Sequence, residues 1–221
     1  MKGPVITRDQ VKTLLDTPFL RVVDLQYAEG RHYYNATRRP VDELAATRTR
    51  EAFQSMTPDA ATCLVVLRTS GDPPRMLLMR EYRYPAGRFL ISPPAGLLDP
   101  EDRAEAEPAL AAARREIREE AGITAEPTRL ELINPLVFSS PGMTDESNAL
   151  VLAVYDLPDL SCINQRGAVG SECFDGYRLV TREEAETLLR DGRDSEGNFY
   201  SVFTWACLTW FASGRWEARA D

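Results

Sequence analysis

From Ala61 the chain carries two apolar runs of β type, "ATCLVVLR" and "RMLLMREY", with "TSGDPP" between them. Short runs rich in Val, Leu and Met, cut by a Gly-Asp-Pro-Pro cluster, read as two strands joined by a turn. "RFLISPPAG" adds a short strand stopped by its prolines, and "LELINPLVF", "NALVLAVYDL" and "FDGYRLV" read as further strands. Between them a helix runs to about Ala121, with Gly122 as its C-terminal stop. Thr181 caps a second helix, "REEAETLLRDG", with Glu184 three residues on as a capping box. The last helix is "YSVFTWACLTWFASG", whose Phe203, Trp210 and Phe211 read as core packing. Strands flanked by helices make this a layered α/β (α+β) domain.

The N-terminal part is built of shorter pieces. "TRDQVKTLLD" reads as one small helix, and "FLRVVDLQYAEGRHYYNATRRP" as two strands around a turn at Glu29-Gly30. "VDELAATRTREAFQSMTPD" is too polar for a core strand and reads as a partly helical connector. The expected division is a β-rich extension over residues 1–57 and a main domain over 58–221. Lys and Arg number 26 against 34 Asp and Glu, a formal charge of −8. That balance argues against general binding to nucleic-acid backbones, which needs clustered cations. No run of about 18 apolar residues predicts a membrane span, and the first ten residues hold no signal-peptide core. A cytoplasmic protein with reduced, buried thiols at Cys63, Cys162, Cys173 and Cys207 is the expectation. With one histidine and no C-x-x-C pair, zinc is not expected; His32 reads as a surface strand residue without a partner.

The chemistry concentrates in "AAARREIREEAGI", Ala111 to Ile123. At about 100° per residue, Leu110, Ala113, Ile117 and Ala121 form one apolar stripe. Glu116, Glu119 and Glu120 then share an arc of about 100° beside that stripe. Arg115 stands at i, i+4 to Glu119, where an ion pair can hold the acid. Two readings follow: a salt-bridged surface helix, or a carboxylate face that binds a hard divalent cation such as Mg²⁺.

"SPPAGLLD" before this helix and "REIREEAG" within it resemble the Nudix box, the signature of the Nudix hydrolase superfamily, G-x5-E-x7-R-E-U-x-E-E-x-G-U with U aliphatic. Glu107, Arg115, Glu116, Ile117, Glu119, Glu120, Gly122 and Ile123 match its second half. The first half departs, because ten residues rather than five separate Gly96 from Glu107. The reading is a five-residue insertion within "DPEDRAEAEP", with Glu101 or Glu105 as alternatives to Glu107. The resemblance implies an α/β/α sandwich with a mixed central sheet, and metal-dependent hydrolysis of a nucleoside diphosphate linked to a further moiety. Carried onto this chain, Glu116 and Glu120 would be the main Mg²⁺ ligands, with Mn²⁺ as a substitute. Glu119 would be a further ligand or position water, the Ala95 carbonyl would complete the site, and Arg115 would orient Glu119.

Three stretches resemble the ADP-ribose pyrophosphatase branch. "REYRYPAGRFLISPPAGLLD" offers Arg83 for phosphate or ribose, although Ser92 stands where that branch usually has an acid. "SSPGMTDES" offers Glu146, or Asp145 in its place, to activate the attacking water. "HYYNATRRP" offers Tyr33 for adenine and Arg38 for phosphate, from an N-terminal sheet that such enzymes exchange across a homodimer. The resemblance thus implies cleavage of ADP-ribose to AMP and ribose 5-phosphate. Its alternatives are another nucleoside diphosphate sugar, such as GDP-mannose or ADP-glucose, or a non-catalytic ADP-ribose sensor. RNA decapping is disfavoured by the net charge.

Overall fold

The computed structural model describes residues 3–167 and 172–218. The chain forms two compact units, residues 1–59 with 136–148, and residues 60–135 with 149–221.

The first unit contains an antiparallel sheet of β1 (Val11–Asp16), β2 (Arg21–Ala28) and β3 (Arg31–Thr37), in that order. The β2–β3 turn falls at Glu29-Gly30 as expected, with Gly30 at a φ of 62°. The small helix expected over residues 7–16 is replaced by one 3-10 turn, Arg8–Gln10, followed by β1. Thr7 and Gln10 form a capping box that starts this turn. Pairing with β2 then overrides the local preference of the following residues. The connector is partly helical: two 3-10 turns precede α1 (Arg50–Gln54). Val23, Leu25 and Leu44 form a small core. Beside the exposed Arg38, Arg39 is buried and donates to Thr57 O, Asp59 Oδ2 and Ser147 Oγ at 3.1, 2.8 and 3.0 Å.

The second unit is built on β4 (Ala60–Arg68) and β5 (Arg75–Arg83), which are the two apolar runs on either side of "TSGDPP". The sheet runs β10-β5-β4-β9-β8, where β8 is Arg129–Phe138, β9 Ser147–Asp156 and β10 Phe174–Val180. Two short strands, β6 (Arg88–Ser92) and β7 (Ala95–Leu97), pair antiparallel with β5 and β4. Alternation along β4 separates two cores, because successive side chains leave opposite faces of a strand. Ala61, Cys63, Val65 and Leu67 join a cluster with Ala112, Ala113 and Ile117 of α3 (Pro108–Ala121). Leu64 and Val66 join the cluster that holds Ala185 and Leu188 of α4 (Arg182–Asp191) and Leu208 and Phe211 of α5 (Val202–Ala212). The layers are thus helix, sheet, helices. Phe211 is core as expected, whereas Phe203 and Trp210 are half-buried. Among the described residues no helix is long and apolar enough to cross a membrane. All four cysteines are free; Cys63 and Cys207 are buried as expected, but Cys162 and Cys173 are exposed.

Candidate active site

Strand β7 ends just before a short helix, α2 (Pro100–Arg103), and α3 follows after residues 104–107. Pro108 opens α3, where a missing N–H costs nothing, and Gly122 closes it at a φ of 70°. The buried arc of α3 holds Ala109, Ala112, Ala113, Glu116, Ile117, Glu120 and Ala121, while Leu110 is only half-buried. Glu116 and Glu120 therefore stand inside the buried face, not beside it. The buried arc lies further from Leu110 than apolar spacing alone predicts, because that spacing does not register buried carboxylates. Gly96 makes room for this: a Cβ there would lie 1.7 Å from Glu116 Oε1.

Arg115 is the organising cation. It donates to Asp102 Oδ2 from Nε and Nη2 at 3.2 and 2.8 Å and to Leu97 O at 2.8 Å. Its Nη1 reaches Glu116 Oε1 at 2.8 Å and Glu119 Oε2 at 3.0 Å, the latter being the expected i, i+4 pair. Asp102 is buried, caps the start of α2 and is the acid that grips Arg115. Glu107 is instead an exposed residue at the entry to α3 with no capping bond. The acid at the expected distance from Gly96 is thus Asp102, and the extra residues lie after it. None of Glu101, Glu105 and Glu107 forms an ion pair with Arg115. The spacing from Gly96 is legible in the sequence, but the acid at that position is an Asp rather than the Glu of the motif.

Carboxylate oxygens of Glu116, Glu120 and Glu172 lie within 4.8 Å of one another. Glu172, just before β10, was not found from the sequence, since nothing local links it to α3. Burial pushes the Glu120 carboxyl up to about 9, with repulsion from Glu116, Glu81 and Glu172 adding to it; the Ala95 N–H donates to Oε2 at 3.3 Å. Burial also raises Glu116, to about 7, although Arg115 opposes the shift. Three carboxylates crowded this closely, with Glu116 and Glu120 raised by burial, suit a hard cation with oxygen ligands. Glu119 stays on Arg115 and is not in the trio. Ala95 lies in β7 opposite Thr62, its amide directed to Glu120.

Nearby on β5, Glu81 accepts from Arg83 Nη2 at 2.6 Å and from the Ser92 hydroxyl at 3.4 Å. Burial raises the Glu81 carboxyl, and Glu172 adds to the rise. The candidate substrate residue Arg83 is therefore held by an acid of its own strand.

Glu146, Arg38 and Tyr33 belong to the first unit. Arg38 Nε donates to Glu146 Oε1 at 2.7 Å, and the Tyr33 hydroxyl donates to Gly142 O at 2.7 Å. Asp145 is buried and accepts from Asn35 Nδ2 and the Ala45 N–H, so it braces the fold of its unit. His32 has a partner after all, its Nδ1 lying 2.8 Å from Asp24 Oδ2.

Residues 56–203 match a family model described as NUDIX domain. A Caenorhabditis elegans protein named as nudix hydrolase 2 is 37% identical over 81 residues, 37% of this chain and 33% of that protein. An uncharacterized Nudix hydrolase of Schizosaccharomyces pombe is 32% identical over 99 residues, 45% of this chain and 44% of that protein. The matches thus span less than half the length of these relatives. A solved structure of an ADP compounds hydrolase superposes with a TM-score of 0.56 at 19% identity, over 95% of this chain and 94% of that one, a likeness of fold.

Proposed function

Because the chain belongs to the NUDIX domain family, we propose that it hydrolyses the pyrophosphate of ADP-ribose to AMP and ribose 5-phosphate with the help of Mg²⁺. The observation that carries the reading is the convergence of Glu116, Glu120 and Glu172. These three carboxylates would hold the cation, with the Ala95 carbonyl as a further oxygen donor; Mn²⁺ has the same oxygen preference. Bound there, a divalent cation supplies charge neutralisation of the diphosphate and polarisation of phosphorus.

The remaining residues have roles that follow from their partners. Arg115, clamped by Asp102 and Leu97 O, fixes Glu116 and keeps Glu119 available to orient water. Arg83 contacts phosphate or ribose, and its pairing with Glu81 limits the rotamers it samples before substrate arrives. Tyr33 and Arg38 contact adenine and phosphate. Glu146 handles the attacking water, and its pairing with Arg38 fixes where its carboxylate sits. A homodimer that exchanges the N-terminal sheet belongs to the same reading. The exposed Leu14, Leu15, Phe19 and Leu20 are apolar surface that such an exchange would cover.

The test is a turnover screen of the pure protein with Mg²⁺ against a panel of nucleoside diphosphate sugars. ADP-ribose is expected to be hydrolysed fastest. Near-equal rates with GDP-mannose and ADP-glucose would make the protein a general pyrophosphatase.

A further inference from the structure

Strand β10 loses its register with β5 between Phe174 and Tyr177, a few residues beyond Glu172. Phe174 pairs with Glu81 and Tyr177 with Met79, so Asp175 and Gly176 carry one residue more than the facing strand. Gly176 takes a φ of 85° at this bulge. Its N–H donates to Gln165 Oε1 at 2.9 Å, and its carbonyl accepts from Gln165 Nε2 at 2.9 Å. One side-chain amide thus satisfies both backbone polar groups of Gly176.

Residues around Gln165 are fastened to the helix that carries the other two carboxylates. The Asn164 N–H donates to the carbonyl of Ala121, the last residue of α3, at 3.0 Å. Gly122 lets Asn164 approach, since a Cβ on that glycine would lie 2.1 Å from Asn164 Nδ2. Gly167 passes so close to α3 that its Cβ would lie 2.5 Å from Glu119 O. On the other side of Glu172, the carbonyl of Cys173 accepts from the Tyr82 N–H of β5 at 2.8 Å. The end of α3 is therefore tied through Asn164 and Gln165 to the strand that starts beside Glu172.

We propose that Gln165 is a positioning residue that sets the reach of Glu172 toward Glu116 and Glu120. This rests on the reading of those three acids as the cation site. The role needs an amide: a carboxylate cannot donate to the Gly176 carbonyl, and an aliphatic chain leaves both backbone groups unpaired.

The test is Mn²⁺ affinity by calorimetry, followed by turnover of ADP-ribose, for the full chain and for Gln165→Leu, Gln165→Glu, Glu172→Gln and the double variant Gln165→Leu/Glu172→Gln. Each Gln165 variant is expected to weaken Mn²⁺ binding by about tenfold with the melting temperature nearly unchanged. Two such variants guard against one that fails to fold. In the Glu172→Gln background, Gln165→Leu is expected to change affinity by less than about twofold, because it acts through the side chain already altered. Independent, multiplying losses would overturn the proposal, as would unchanged Mn²⁺ affinity in both Gln165 variants. Wild-type protein that binds Mn²⁺ with the expected Gln165 dependence but leaves ADP-ribose intact would overturn the substrate assignment and leave this proposal standing.

Discussion

Gly96 and Glu116 meet with no room for another carbon, since a Cβ on Gly96 would lie 1.7 Å from Glu116 Oε1. The obstructing atom is the far end of a flexible side chain, so an alanine there would move the carboxylate more than the backbone. Gly96→Ala is therefore expected to leave the melting temperature within a few degrees. It should weaken Mg²⁺ affinity or turnover by roughly 10- to 100-fold. Metal titration of the folded variant checks this, and unchanged affinity would show that Glu116 can move without cost.

Asp102 rather than Glu107 should govern the anchoring of Arg115. Asp102→Ala removes two charge-assisted hydrogen bonds from a partly buried guanidinium and should cost about 2 kcal/mol. Glu107→Ala alters an exposed residue and should stay within about 0.5 kcal/mol. Urea denaturation of the two variants decides between them; equal costs would return Glu107 to the role.

In the first unit, stability should divide between neighbouring arginines. Arg39 and Asp59 are each buried, and Arg39→Ala leaves an unpaired buried carboxylate, a loss of about 3–5 kcal/mol. Arg38 is 42% exposed by side chain and pairs with Glu146, so Arg38→Ala should cost less than about 1 kcal/mol. Its effect should fall on turnover instead. Thermal melts of both variants are the check.

The metal-free protein should lose stability as pH rises. Glu116 and Glu120 are raised in the fold to about 7 and about 9, above the usual value of 4.5. Between those limits the folded state holds protons that the unfolded state has released, so unfolding stability falls with pH. Their contribution is complete below about pH 4.5 and is lost as pH climbs through about 7 and about 9. Melting temperatures in chelator from pH 6 to 9 should decline, and added Mg²⁺ should restore more at the alkaline end. A flat profile in chelator would contradict the crowding of these acids.

The parts of the fold that repeat a local rule were legible. Strands β4 and β5 followed from their apolar runs, the end of α3 from Gly122, and the α4 cap from Thr181 and Glu184. The N-terminal strand β1 was not, because its residues follow a true capping box and only pairing with β2 makes them extended. At the site, Glu116, Glu120 and Arg115 were visible through helical spacing. Glu172 reaches them from a distant loop, which no periodicity encodes. Arg38 and Arg39 are adjacent and chemically alike, and burial alone tells them apart.

The central claim is that Glu116, Glu120 and Glu172 together hold a divalent cation used to split a pyrophosphate. Its most direct test is a Mg²⁺ titration of ADP-ribose hydrolysis, beginning in chelator, for the wild-type protein and Glu120→Gln. The account predicts no hydrolysis in chelator, saturable recovery with Mg²⁺ in the wild type, and a loss of orders of magnitude in the folded variant. Hydrolysis that persists in chelator, or a Glu120→Gln protein with wild-type rates, would contradict it.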